Sequence, residues 1–144
     1  MFAIIGSLGF IVSLDTFRDY SLRDERNLIV SALHKARSQS VNNMCFTAAA
    51  PCTDGKPHGV RIEAGQYVIF QGPDFAGRDT AVDEIIKSVY APAATTGFTE
   101  VVFSPLSANA ATLPAGTWTL SVSDSMGNTS VIIISGEGRV TWTN

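Results

Sequence analysis

Any chemistry in this chain of 144 residues has to come from two cysteines, two histidines and thirteen carboxylates. Cys45 and Cys52 bracket six residues in CFTAAAPC. That spacing, with Pro51 inside it, closes as a compact disulfide loop if the protein is exported and stays a free thiol pair if it is not. A zinc-type metal centre is not expected, because it needs about four converging ligands and there is no second cysteine pair. His34 lies beside Lys35 in a helix-patterned stretch, and His58 lies in KPHG where the chain turns into a strand. Each is read as a solvated or packed imidazole. Asp79 and the pair Asp83-Glu84 sit on a short polar segment and are read as solvated charge rather than as an acid–base pair. Gly136-Glu137-Gly138 lacks the lysine and the following helix of a phosphate-binding loop and fits a hairpin turn better. Neither a nucleophile elbow nor H-E-x-x-H occurs. The expectation is a protein that is not an enzyme, with no cofactor, no metal and no small-molecule substrate.

The elements that carry these residues start with MFAIIGSLGFIVSL, Met1 to Leu14, which holds no charge. Fourteen residues fall short of the roughly twenty a membrane-spanning helix needs. A signal peptide fits poorly, since no basic residues open the run and no small-residue cleavage site closes it. Beyond Leu14, Phe17, Tyr20, Leu28, Ile29, Ala32, Leu33, Ala36 and Val41 recur at helical steps, while Arg18, Asp19, Arg23, Asp24, Glu25 and Arg26 take the other faces. Nothing breaks the pattern before Asn42-Asn43. This predicts one helix of about forty residues and about 60 Å, apolar all round at first and amphipathic later. The first part asks for lipid or other helices around it and the second for a globular domain. The alternative is a central helix wrapped entirely by one domain.

After the helix the chain reads as β. Gly59–Ala64 and Gln66–Gln71 form a hairpin turning at Gly65, packed on the helix stripe. Residues 72–80 read as a surface loop, and 82–90 suit either a short helix or a strand. Ala91 to Gly97 reads as a linker and Glu100–Phe103 as a strand. Pro105 to Ala115 reads as a loop too poor in apolar bulk to enter the core. The last thirty residues predict a three-stranded meander, with Trp118, Leu120 and Val122 inward on its first strand, Val131–Ile134 apolar throughout, and Val140 and Trp142 inward on the last.

The order of an uncharged helix with the step Ala3-Ile4-Ile5-Gly6, an amphipathic continuation and a β-rich domain resembles type IV pilins and the pseudopilins of type II secretion. LHKARSQSVNN, Leu33 to Asn43, followed by HGVRIEAGQYVIFQG is similar to their GspH- or FimT-like branch. The resemblance covers essentially the whole chain. It implies an α+β fold, with a long N-terminal α-helix packed on a C-terminal antiparallel β-sheet head. Residues 1–43 would be the helix (1–14 the membrane and filament-core part, 15–43 the amphipathic part) and 44–144 the head. Phe2, Ile4, Ile5, Gly6, Leu8, Gly9, Phe10, Ile11 and Leu14 would form the assembly surface. Family members open, after processing, with a Phe-type residue and carry a glutamate a few residues later. No such glutamate stands in the uncharged run, so the expectation is a truncated start, and no processing site or glutamate is assigned.

The function implied is a structural subunit of an extracellular or periplasm-spanning filament. Its partners would be copies of itself or other pilins, and it would sit in the inner membrane before assembly and at the cell surface after. Some FimT-like minor pilins bind DNA through a C-terminal G-R-x-R, whose arginines meet phosphates. Here the motif reads Gly138-Arg139-Val140-Thr141, which leaves Arg139 as the single candidate nucleic-acid contact. Residues 1–43 hold five Lys/Arg and four Asp/Glu, and the rest five against nine. An acidic head does not fit a DNA receptor, whose usual footprint is a clustered basic excess. Two alternatives to the filament subunit remain, a DNA-uptake minor pilin and a secreted β-rich adhesin or sugar-binding module.

Overall fold

A computed structural model describes residues 2–46, 55–88, 94–113 and 116–143, with side chains from Tyr20 onward. Helix α1 spans Phe2–Val41. Among its described side chains, Leu22, Glu25, Arg26, Ile29, Val30, Ala32, Leu33, Ala36 and Ser40 are buried, one stripe at three- and four-residue steps. Two adjacent asparagines end the helix. Asn43 adopts φ 53, and its N–H donates to Ser40 O at 3.1 Å while Met44 N–H reaches back to Gln39 O at 2.9 Å. This is a Schellman cap with asparagine in the left-handed position that glycine more often fills.

Among the described residues eight strands follow: β1 (His58–Glu63), β2 (Gln66–Gln71), β3 (Glu84–Lys87), β4 (Ala94–Gly97), β5 (Glu100–Phe103), β6 (Thr117–Ser123), β7 (Thr129–Ser135) and β8 (Val140–Thr143). They form two antiparallel four-stranded sheets, ordered β3-β2-β1-β5 and β4-β6-β7-β8. The β1–β2 hairpin closes at Glu63↔Gln66 over Ala64-Gly65, with Gly65 at φ 79, in the left-handed region that favours glycine. The chain crosses from the second sheet to the first between β4 and β5. At this crossing Gly97 sits so close to β6 that a Cβ on it would lie 2.3 Å from Thr119 O. One core joins the elements: Ile29, Leu33 and Ala36 of α1, Val60, Ile69, Val101 and Phe103 of the first sheet, and Leu120, Val122, Ile132 and Ile134 of the second.

The expected α+β arrangement of a long helix packed on one antiparallel sheet is therefore corrected. Among the described residues the chain is mostly β, with eight strands divided between two sheets, and the described packing on them comes from the short Tyr20–Val41 part of the helix. Alternation along a strand reports which face is buried and is silent about which sheet the strand joins. Ala94–Gly97, read as linker, is an edge strand paired with β6 from Ala94↔Ser123 to Gly97↔Leu120. Main-chain pairing at an edge needs no apolar side chains, so its pattern was blank. The meander thus gains a fourth strand. Of the segment 82–90, Val82 ends a 3-10 turn, Thr80–Val82, and Glu84–Lys87 is strand β3, while 89 and 90 lie outside the described residues.

Three burial expectations also change. The loop after β5 does enter the core, since Ala108 and Ala110 are buried and Phe103 bridges to Ala110. Small residues are what such a close approach admits. Trp142 is not inward but 46% exposed, on an edge strand with the Arg26 guanidinium 5.7 Å from its ring centroid. Tyr20, placed on the apolar stripe, is 62% exposed, whereas Glu25 and Arg26, placed on the polar faces, are buried.

Candidate functional site

The residues expected to drive assembly, Phe2, Ile4, Ile5, Gly6, Leu8, Gly9, Phe10, Ile11 and Leu14, fall within α1, and their side chains lie outside the described ones. Cys45 is disulfide-bonded. Cys52 lies outside the described residues. Arg139 is exposed just ahead of β8, its main-chain N–H donating to Ser135 Oγ at 3.2 Å. Of the other cations on the head, Arg61 pairs with Glu100 at 3.4 Å and Arg78 with Asp83 at 2.8 Å. Both guanidinium groups also lie over the Phe75 ring, at 5.3 and 3.6 Å from its centroid. Arg61 and Arg78 thus converge on one aromatic and are each matched by a carboxylate, which is a structural use of arginine. Among the described residues no three of His, Cys, Asp and Glu gather as a metal site.

Two polar clusters hold α1 to the first sheet. In one, the buried Glu25 accepts from Tyr67 Oη of β2 on one carboxylate oxygen and from Ser88 Oγ, at 2.8 Å, on the other. Burial raises the Tyr67 phenol above its ordinary range, and the hydrogen bond to Glu25 and its negative charge raise it further. At neutral pH Tyr67 is a fixed donor and not an acid–base group. The sequence hid this cluster because Glu25 stands among Arg23, Asp24 and Arg26, where every neighbour suggests a solvated face.

The other cluster sits where α1 ends. Ser40 Oγ donates to Phe103 O at 2.9 Å and accepts from the His58 N–H at 2.9 Å, joining the helix to β5 and β1 through one hydroxyl. The Leu106 N–H donates to Ser40 O at 3.0 Å. The His58 ring is 1% exposed and stands edge-on to Phe46, with centroids 5.8 Å apart and planes at 85°. Phe46 is held through its main chain by the Gln71 amide, at 2.7 and 3.3 Å. Beside them lies a cavity of about 140 Å³ bordered by Gln39, Phe46, His58, Ile69, Phe70, Gln71, Val82 and Glu84. Glu84 is bound by Lys35 Nζ at 2.6 and 2.7 Å. Desolvation by burial lowers the His58 pKa, with the Lys56 backbone opposing it in part. KPHG marked His58 as a strand opener, but no pattern in the sequence signals that Ser40 and Phe46 close over it.

Both clusters read as fastenings between helix and sheet. Among the described residues no helix is long and apolar enough to cross a membrane. The chain matches no protein family, no curated protein and no solved structure at a significant level.

Proposed function

We propose that the chain is a structural subunit of an extracellular or periplasm-spanning filament, of the type IV pilin or type II secretion pseudopilin kind, that assembles through the first part of α1. The observation that carries this reading is the contrast in sequence along the helix. Among the described side chains, those that α1 gives to the core run from Leu22 to Ala36. Upstream the same helix continues to Phe2 in a sequence without charge from Met1 to Leu14. An apolar run of that kind is stable where lipid or neighbouring helices surround it. Gly6 and Gly9 suit close helix–helix approach, though each costs about 1 kcal/mol of helix propensity in water. In this reading the run is held at the inner membrane before assembly. It then packs against copies of the chain or other pilins in the filament core, while the two sheets face outward.

The test is a charged substitution inside the run. Ile5→Lys abolishes filaments seen by electron microscopy of the reconstituted chain, while its near-ultraviolet circular dichroism, which reports the head, stays that of the wild type. Filaments of undiminished length from Ile5→Lys, or a wild-type chain that is monomeric without detergent, would overturn the reading.

A further inference from the structure

His58 is packed as though its ring had no hydrogen-bonding capacity. It is 1% exposed, and among the described residues neither Nδ1 nor Nε2 has a partner at full hydrogen-bonding geometry, although the Lys56 backbone bears on the ring. Buried donors and acceptors are nearly always satisfied, and leaving one unmet is costly. The residue is kept in place by its main chain, through Ser40 Oγ, and by the edge of Phe46. The adjoining cavity offers what the ring lacks. Gln39 Oε1, on the cavity wall, is also buried without a donor.

We propose that His58 is a proton-operated switch at the end of α1. Neutral, its ring packs on Phe46; protonated, it turns into the cavity, donates to Gln39 Oε1 beside the Glu84 carboxylate, and releases Phe46. The inference rests on this junction alone and is independent of the filament reading.

The groups around the ring allow both positions. On α1, Gln39 is neutral, and Lys35 is committed to Glu84. Ahead of β1, Lys56 meets the ring through its backbone. On β2, Ile69, Phe70 and Gln71 carry no charge, and on β5 the register partner is Phe103. Among the described residues, Glu84 is the one carboxylate bordering the cavity. In the packed position burial holds the His58 pKa below its ordinary value of 6.5. A histidine whose folded pKa is depressed is protonated first in the competing state. The packed arrangement is therefore at full stability above about pH 6.5 and loses it as pH falls toward the folded value. In the turned position the imidazolium gains an acceptor and a nearby negative charge, so the two positions exchange with pH inside a folded head.

The experiment is a nuclear magnetic resonance titration of the full 144-residue chain in zwitterionic detergent from pH 8 to pH 4.5. The expected result is a His58 imidazole midpoint below 6.5, with the Phe46 ring resonances shifting at the same midpoint and the Ile132 methyl resonances unmoved. Gln39→Leu removes the waiting acceptor and lowers the midpoint by about one pH unit, the equivalent of one hydrogen bond to a charged group. His58→Phe abolishes the Phe46 response. The proposal is overturned if Phe46 does not respond, if Gln39→Leu leaves the midpoint unchanged, or if His58 titrates at or above 6.5. Should His58→Phe fail to fold, the wild-type and Gln39→Leu titrations decide the matter by themselves.

Discussion

On the side of β1, β2 and β3, α1 is fastened by directed polar bonds: Glu25 to Tyr67 and Ser88, Lys35 to Glu84, and Ser40 to His58 and Phe103. On the side of β6, β7 and β8 the contact is made by Leu120, Val122, Ile132, Ile134 and Val140 in the shared core, with the Arg26 guanidinium over Trp142 at the rim. Both sheets give the helix apolar surface, since Val60, Ile69, Val101 and Phe103 of the first lie in the same core, and the hydrogen bonds just named are added on the first. Apolar burial is worth more in total but is indifferent to small slides and rotations. Each polar bond adds less net free energy, yet is expensive to leave unmade, so it fixes where along its length the helix meets the sheet. The apolar core shared by both sheets supplies the adhesion, and the polar bonds on the first set the register.

The largest effect should come from the apolar side. Ile132→Ala removes a fully buried side chain and should cost about 2–5 kcal/mol in urea unfolding, depending on how far the site collapses. A cost below about 1 kcal/mol would mean the second sheet contributes little.

Next comes the buried carboxylate. Glu25→Ala strands the Tyr67 hydroxyl, takes one acceptor from Ser88 and should cost about 1–3 kcal/mol. Adding Tyr67→Phe to Glu25→Ala removes one stranded group, so the double variant should cost less than the sum of the two single changes. Strict additivity in this cycle would break the account of Glu25 as a fastening.

Smaller again is Lys35→Ala. Its pair with Glu84 has side chains 48% and 46% exposed, so solvent screening limits the loss to between 0 and about 1 kcal/mol, and added salt should erase it. The smallest expected effect concerns Arg139→Ala. With Arg61 and Arg78 paired to carboxylates on an acidic head, duplex DNA should bind in the non-specific range, about 10⁻⁴ to 10⁻⁶ M at physiological salt, with or without this arginine. Submicromolar binding in a gel-shift titration, lost on Arg139→Ala, would place a DNA interface on the second sheet.

The same contrast explains what the sequence made legible. The apolar side was readable, since Leu120 and Val122 alternate with polar residues and Ile29, Leu33 and Ala36 follow a helical step, so periodicity alone marks them as core. The polar side was not. Glu25 looks solvated when its neighbours are Arg23, Asp24 and Arg26, and its partners Tyr67 and Ser88 are contributed from more than forty residues away. Ser40, His58 and Phe46 likewise meet only through the fold. Strand β4 was invisible for a third reason: Ala94–Gly97 makes its structure from main-chain pairing, which leaves no trace in side-chain pattern. The division into two sheets follows from β4 pairing with β6 while β5 pairs with β1, a choice that local sequence does not encode.

The central claim is that the fold is complete without the uncharged run and that the run serves assembly. Equilibrium urea unfolding of a chain beginning at Thr16, followed by near-ultraviolet circular dichroism and paired with sedimentation analysis, tests it most directly. The account predicts a soluble monomer with one cooperative transition that Ile132→Ala and Glu25→Ala each shift to lower urea. A shortened chain with no cooperative transition, or one that associates as the full chain does, would contradict it.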